Sequence, residues 1–101
     1  MKVMAVGTLK PLSPEQRQNY LPREVPATLQ LYLDDKMEQF WLRDKEAGVI
    51  FLMNVESVDE ADRLLKALPL GRDNLLTFEL MPIGPLLPLG MLMKSTKGAG
   101  T

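Results

Sequence analysis

The 101-residue chain contains no cysteine and no histidine. The first absence excludes disulfides, thiolate nucleophiles and thiolate metal sites, and permits a reducing, cytoplasmic setting. The second removes the usual neutral-pH base and the commonest transition-metal ligand, so any proton transfer falls to carboxylates, tyrosines, lysines and arginines. Excess charge is also missing. Twelve basic residues stand against thirteen acidic ones, net −1, and no run of like charge exceeds two residues. Nothing therefore steers the protein to nucleic acid or to anionic lipid. Long apolar runs are short too: the N-terminal one is broken by Lys10 and Pro11, too early for a signal core or a spanning helix.

What is present is an ordinary globular composition, 46% hydrophobic and 25% charged, the size of one domain. A chain this short buries roughly 60 to 70% of its unfolded surface, so association with a second copy is a natural source of further burial. Val3 to Leu9 reads as a strand. "KPLSP" supplies a turn, with Ser13 as N-cap and Pro14 at the first helical position. Pro22 and Pro26 are expected to interrupt or restart that helix, because each lacks a donor and crowds the preceding turn. Val25, Leu29, Tyr32 and Leu33 form one helical stripe, and Asp34, Asp35 and Lys36 end it in water.

Met37 to Val55 reads as a hairpin around the polar turn "DKEAG", where Gly48 accepts a positive φ. "SVDE" at Ser57 to Glu60 is a capping box, with Glu60 reaching back to the cap amide. Val58, Ala61, Leu64, Leu65 and Leu68 share the buried face of the helix that follows, and Pro69 stops it. Asn74 to Met81 is the last strand. The order strand, helix, strand, strand, helix, strand specifies an α+β, ferredoxin-like βαββαβ fold, with a four-stranded antiparallel sheet and two main helices on one face.

Both faces of the strands are apolar: Val49, Phe51, Met53 and Val55 oppose Ile50 and Leu52, while Leu76, Phe78 and Leu80 oppose Leu75, Thr77 and Met81. The helices cover one face only. The other, about 350 Å² in projection, is as large as the apolar patches that monomers tolerate. Face-to-face pairing of two copies into a dimeric α/β barrel, or a multiple of such dimers, follows. Residues 1–85 are read as the ferredoxin-like domain and 86–101 as a C-terminal arm and tail, with Leu86 to Met93 lying on a neighbouring copy. Base-stacking on the sheet is excluded by "AGVIFLMNV", which offers one phenylalanine and no basic residue.

The stretch from Leu29 to Leu86, with "FWLRD", "ESVDEADRLLKALPL" and "LLTFELMPIGP" its most telling parts, resembles the muconolactone isomerase-like group, neighbours of the YCII-related proteins among the dimeric α/β barrels. The resemblance implies a barrel-forming homodimer, a small-molecule cleft and isomerase-like chemistry with no cofactor and no metal. Histidines that those isomerases carry around the hairpin have no counterpart here.

The candidate ligand-binding residues are Tyr32, Trp41, Arg43 and Asn54, and the candidate catalytic carboxylates are Glu38 and Glu79. Trp41 and Arg43 alternate onto one strand face, where a guanidinium could hold a ligand carboxylate beside an indole; a salt bridge from Arg43 to Asp44 or Glu46 is the structural alternative. Tyr32 could donate to a carbonyl, or be a packed ring. Glu38 and Glu79 could shuttle protons if burial raised their pKa values, or sit hydrated at strand edges. Two function classes remain open: a cofactor-independent enzyme acting on a small unsaturated or carboxylated metabolite, and a non-catalytic ligand-binding or structural assembly protein.

Overall fold

A computed structural model describes residues 1–84. The expected arm, Leu86 to Met93, lies outside the described residues. Strand β1 (Lys2–Leu9) is followed by helix α1 (Pro14–Leu33), the hairpin β2 (Met37–Leu42) and β3 (Gly48–Asn54), helix α2 (Val58–Lys66), a single-turn helix α3 (Pro69–Arg72) and β4 (Leu76–Ile83). The sheet order is β2-β3-β1-β4 and every neighbouring pair is antiparallel. This is the ferredoxin-like arrangement that the element order specifies.

Alternation along the strands sorts the side chains into two layers. Val3, Ala5, Phe51, Met53 and Leu76 are buried beneath the helices, joined by Met37, Leu31, Ala61, Leu65 and Leu68. Lys2, Met4, Val6, Ile50, Leu52, Trp41, Glu79 and Met81 occupy alternate positions of the same ladders and face away from the helices. Phe51 and Phe78, 5.5 Å apart between ring centroids, both belong to the helix side.

Two expectations about α1 are corrected. Pro22 and Pro26 do not interrupt it; the helix runs unbroken over twenty residues. The four-residue spacing puts both prolines, and the Gln18 whose carbonyl one of them leaves without a helical donor, on an exposed flank, where losing the donors costs least. Ser13 caps the start, accepting from the Gln16 N–H at 3.1 Å while Gln16 Oε1 accepts from the Ser13 N–H at 2.9 Å. The Val25, Leu29, Tyr32, Leu33 stripe exists but is exposed, and α1 instead buries Leu31 and Glu24.

Two further details differ. Glu60 accepts from the Glu56 N–H at 2.9 Å rather than from the Ser57 cap amide, although Ser57 does accept from the Glu60 N–H at 3.1 Å. Pro69 ends α2's continuation but also opens α3, which delays β4 to Leu76. Both α1 and α3 end in the same way. Asp35 (φ 60°) and Asn74 (φ 58°) are left-handed, and the next N–H in each case reaches back to close the turn: Lys36 to the Leu31 carbonyl and Leu75 to the Leu70 carbonyl, both at 2.9 Å.

Candidate functional site

A cavity of about 560 Å³ opens where the C-terminus of α1 meets the start of β2 and the end of β3. Tyr32, Leu33, Asp35, Met37, Glu38 and Asn54 line it. The local backbone explains this gathering. The left-handed Asp35 turns the chain sharply from α1 into β2 and leaves Asp35 in the cavity lining. Register slips between Met37 and Gln39, so Glu38 is the extra residue of a β-bulge and is displaced from the regular ladder. Asn54 ends β3 opposite Lys2, and its side-chain amide donates to the Asp35 carbonyl at 3.4 Å.

The polar lining is acidic and is balanced from one side. Lys2 Nζ donates to Glu38 Oε2 at 2.7 Å, bringing one ammonium to a wall that carries the carboxylates of Glu38 and Asp35. The Tyr32 ring and the apolar side chains of Leu33 and Met37 complete the lining. Tyr32 meets Phe40 edge to face, with centroids 5.8 Å apart and planes at 84°, which fixes the ring. Such a lining suits a flat apolar body bearing hydroxyl or carbonyl groups: carboxylates accept hydroxyl protons, and the amide and phenol serve a carbonyl.

Of the six sequence-derived candidates, Tyr32, Glu38 and Asn54 come together here. The other three lie elsewhere, on the open face of the sheet. Trp41, Ile50, Val6 and Glu79 form one transverse row across the four strands, leaving Trp41 and Glu79 three strand spacings apart, about 14 Å. Arg43 follows in the next row. Its guanidinium donates to Thr8 Oγ1 at 2.9 Å and to the Gly7 carbonyl at 3.4 Å, and pairs with Glu46 at 2.7 Å. The alternative reading of Arg43, an ion pair with Glu46, is the one the side chain adopts, and it engages the fork needed to grip a carboxylate.

Sequence reasoning missed Lys2 and placed Asp35 in a hydrated terminus. Strand alternation gave a signal for Lys2, which shares the open face with Asn54 across β1 and β3. No sequence signal announces the bulge at Glu38. Among the described residues no cluster of three or more acidic side chains is arranged to hold a metal ion, and no helix is long and apolar enough to cross a membrane.

No family model matches the chain, and no curated protein matches it in sequence. The fold does have a solved counterpart. It is similar to a 5-chloro-2-hydroxyhydroquinone dehydrochlorinase from Burkholderia phenoliruptrix AC1100, whose structure holds 2,5-dihydroxybenzoquinone, with a TM-score of 0.65 and 16% identity over 83% of this chain and 94% of that one. At that identity the likeness establishes the shared fold.

Proposed function

We propose that the chain is the subunit of a dimeric α/β barrel that binds a small, unsaturated cyclic metabolite carrying hydroxyl, carbonyl or carboxyl groups, and that it moves a proton on that molecule without a cofactor. The observation that carries this reading is the convergence of Tyr32, Glu38 and Asn54 on one cavity. The counterpart of like fold, crystallised with a dihydroxybenzoquinone, supports a ring-shaped ligand.

The roles follow from chemistry. Glu38 accepts a proton from a carbon next to the ligand carbonyl, and the Lys2 ammonium at 2.7 Å stabilises the carboxylate before transfer. The Tyr32 hydroxyl donates to the oxygen that gains charge as the carbon–hydrogen bond breaks. Returning the proton to a different carbon completes an isomerisation. The Asn54 amide and the apolar wall of Leu33 and Met37 orient the ring. Trp41, Arg43 and Glu79, on the open sheet face, belong in this reading to the interior of the barrel, where a second sheet covers them.

The test is hydrogen exchange on a bound ligand. In deuterated buffer, small unsaturated lactones and dihydroxybenzoquinones are incubated with the protein, and deuterium at carbon is followed by NMR. Exchange that needs the protein, disappears in Glu38→Gln and survives in Glu79→Gln is the expected result. Binding without exchange leaves a ligand-binding protein and overturns the enzyme reading; no shift of the Asn54 or Asp35 amides on titration overturns the site.

A further inference from the structure

We infer that the cavity selects its ligand by charge, taking a ring that is uncharged or bears a protonated amine and turning away one that bears a carboxylate. This rests on the reading of the cavity as a ligand site. It narrows the polar groups allowed above to hydroxyl and carbonyl, and adds an ammonium as the best-suited substituent.

The lining is the first observation. Asp35 and Glu38 contribute two carboxylates, and none of the six lining residues is basic. The neighbouring cations are already engaged. Lys2 pairs with Glu38 at 2.7 Å, and Lys36 pairs with Glu60 of α2 at 3.5 Å. Among the described residues the Asp35 carboxylate has no ion-pair partner. A carboxylate entering the cavity therefore meets a like charge without a counterion, and reaches the Lys2 ammonium only in competition with Glu38.

The second observation lies in the backbone. Helix α1 runs for twenty residues, and its C-terminal end opens on the cavity, where Tyr32 and Leu33 form part of the lining. The carbonyl end of a helix carries about half a negative charge. Its last turn holds no basic residue, and Asp34 and Asp35 follow directly. That is the reverse of what favours a stable helix end, where cations compensate the dipole. The Gln30 side-chain amide relieves Asp34, donating to it at 2.9 Å. Asp35 is left for a ligand to compensate.

Hydrogen-bonding capacity points the same way. Of the four carboxylate oxygens in the lining, only Glu38 Oε2 is engaged among the described residues, by Lys2. Three acceptors therefore wait for donors, which hydroxyl and ammonium groups supply and a carboxylate lacks. The Tyr32 ring, held edge to face by Phe40, adds a π surface that attracts a cation.

The test uses the full chain and three ligands of one shape: 4-hydroxybenzylamine, 4-hydroxybenzyl alcohol and 4-hydroxybenzoate, titrated at pH 7 while the Asp35 and Asn54 amides are followed by NMR. The amine should bind tightest and the acid weakest, with about a ten-fold or larger ratio between them. High salt should compress that ratio. Asp35→Asn suits the left-handed backbone at this position, so the fold is kept; it should reduce the ratio by about three-fold or more, while Asp44→Asn in the β2–β3 turn leaves it unchanged. Removing a carboxylate from the negative end of α1 should also hold or raise the thermal midpoint. A lower midpoint would make the Asp35 carboxylate a structural cap and overturn the inference. So would an acid that binds as tightly as the amine, or a ratio unmoved by Asp35→Asn, and in both cases the ligand site itself would stand. No amide shift with any of the three compounds would overturn the site, and the inference with it.

Discussion

Glu24 Oε1 accepts a hydrogen bond from the Leu70 backbone N–H at 2.9 Å, joining α1 to the start of α3 across 46 residues. Glu24 is only 6% exposed, and Thr28 donates to its other oxygen at 3.5 Å. Leu68, the residue before α3, supplies no side-chain cap. A carboxylate from another helix therefore does the work of an N-cap and ties α1 to the helical layer.

Removing that carboxylate leaves a buried donor unpaired. Glu24→Ala is expected to cost about 1–3 kcal/mol in urea denaturation, with Glu24→Gln, which keeps an acceptor, costing less. Equal stability of Glu24→Ala and wild type would show that water replaces the bond.

The same residue sets a pH dependence of definite sign. Burial pushes the Glu24 carboxyl upward, opposed by the hydrogen bonds from Leu70 and Thr28. With the folded pKa above the unfolded one, the folded state holds more protons between the two values, so this contribution weakens as pH rises through that window and is flat above it. Glu60 runs the other way. The Glu56 N–H lowers its pKa, the Lys36 charge adding to the effect, so its contribution is present at neutral pH and is lost as pH falls through the folded value. The stability of wild type minus that of Glu24→Gln should therefore decrease from acid toward neutral pH. A constant difference would contradict the burial.

Gly48 opens β3 with φ 152°, and a Cβ there would lie 2.0 Å from the Gly7 carbonyl oxygen of the neighbouring strand. Gly48→Ala combines backbone strain with a collision against β1. A loss of at least ~2 kcal/mol is expected, read from the thermal midpoint. A cost below that of an ordinary surface substitution would mean the hairpin shifts to make room.

Charged substitutions should separate the two sheet faces. Phe51→Asp, beneath the helices, is expected to abolish cooperative folding, since even Phe→Ala in a core costs about 3–5 kcal/mol. Leu52→Asp, one residue on and facing away, should leave circular dichroism unchanged and dissociate the proposed sheet-to-sheet dimer. Trp41, 45% exposed on that same face, reports the event: its emission should shift to the red on dilution of wild type and be red-shifted at all concentrations in Leu52→Asp. Emission independent of concentration would argue against a covered open face.

The fold was legible because its signals are local and repeated. Ser13 with Pro14, Ser57 with Glu60, the turn at Gly48 and the two-residue alternation of β3 and β4 each act within a few residues, and their order leaves little choice of topology. Amphipathic spacing gave the buried side of α2 correctly, with Ala61, Leu65 and Leu68 in the core.

What the sequence could not determine depends on distant partners. Spacing identifies a stripe on α1, but only the sheet beneath it decides that Glu24 and Leu31 turn inward while Leu29 and Leu33 stay out. Both prolines fit the helix because that orientation leaves their flank in water. The site divides in the same way. Residue type marked Tyr32, Glu38 and Asn54 as chemically able, and composition removed histidine and cysteine chemistry outright. Bringing those three around one cavity took the left-handed turn at Asp35, a bulge at Glu38 and a lysine from β1, whose positions are set by register between strands far apart in the chain.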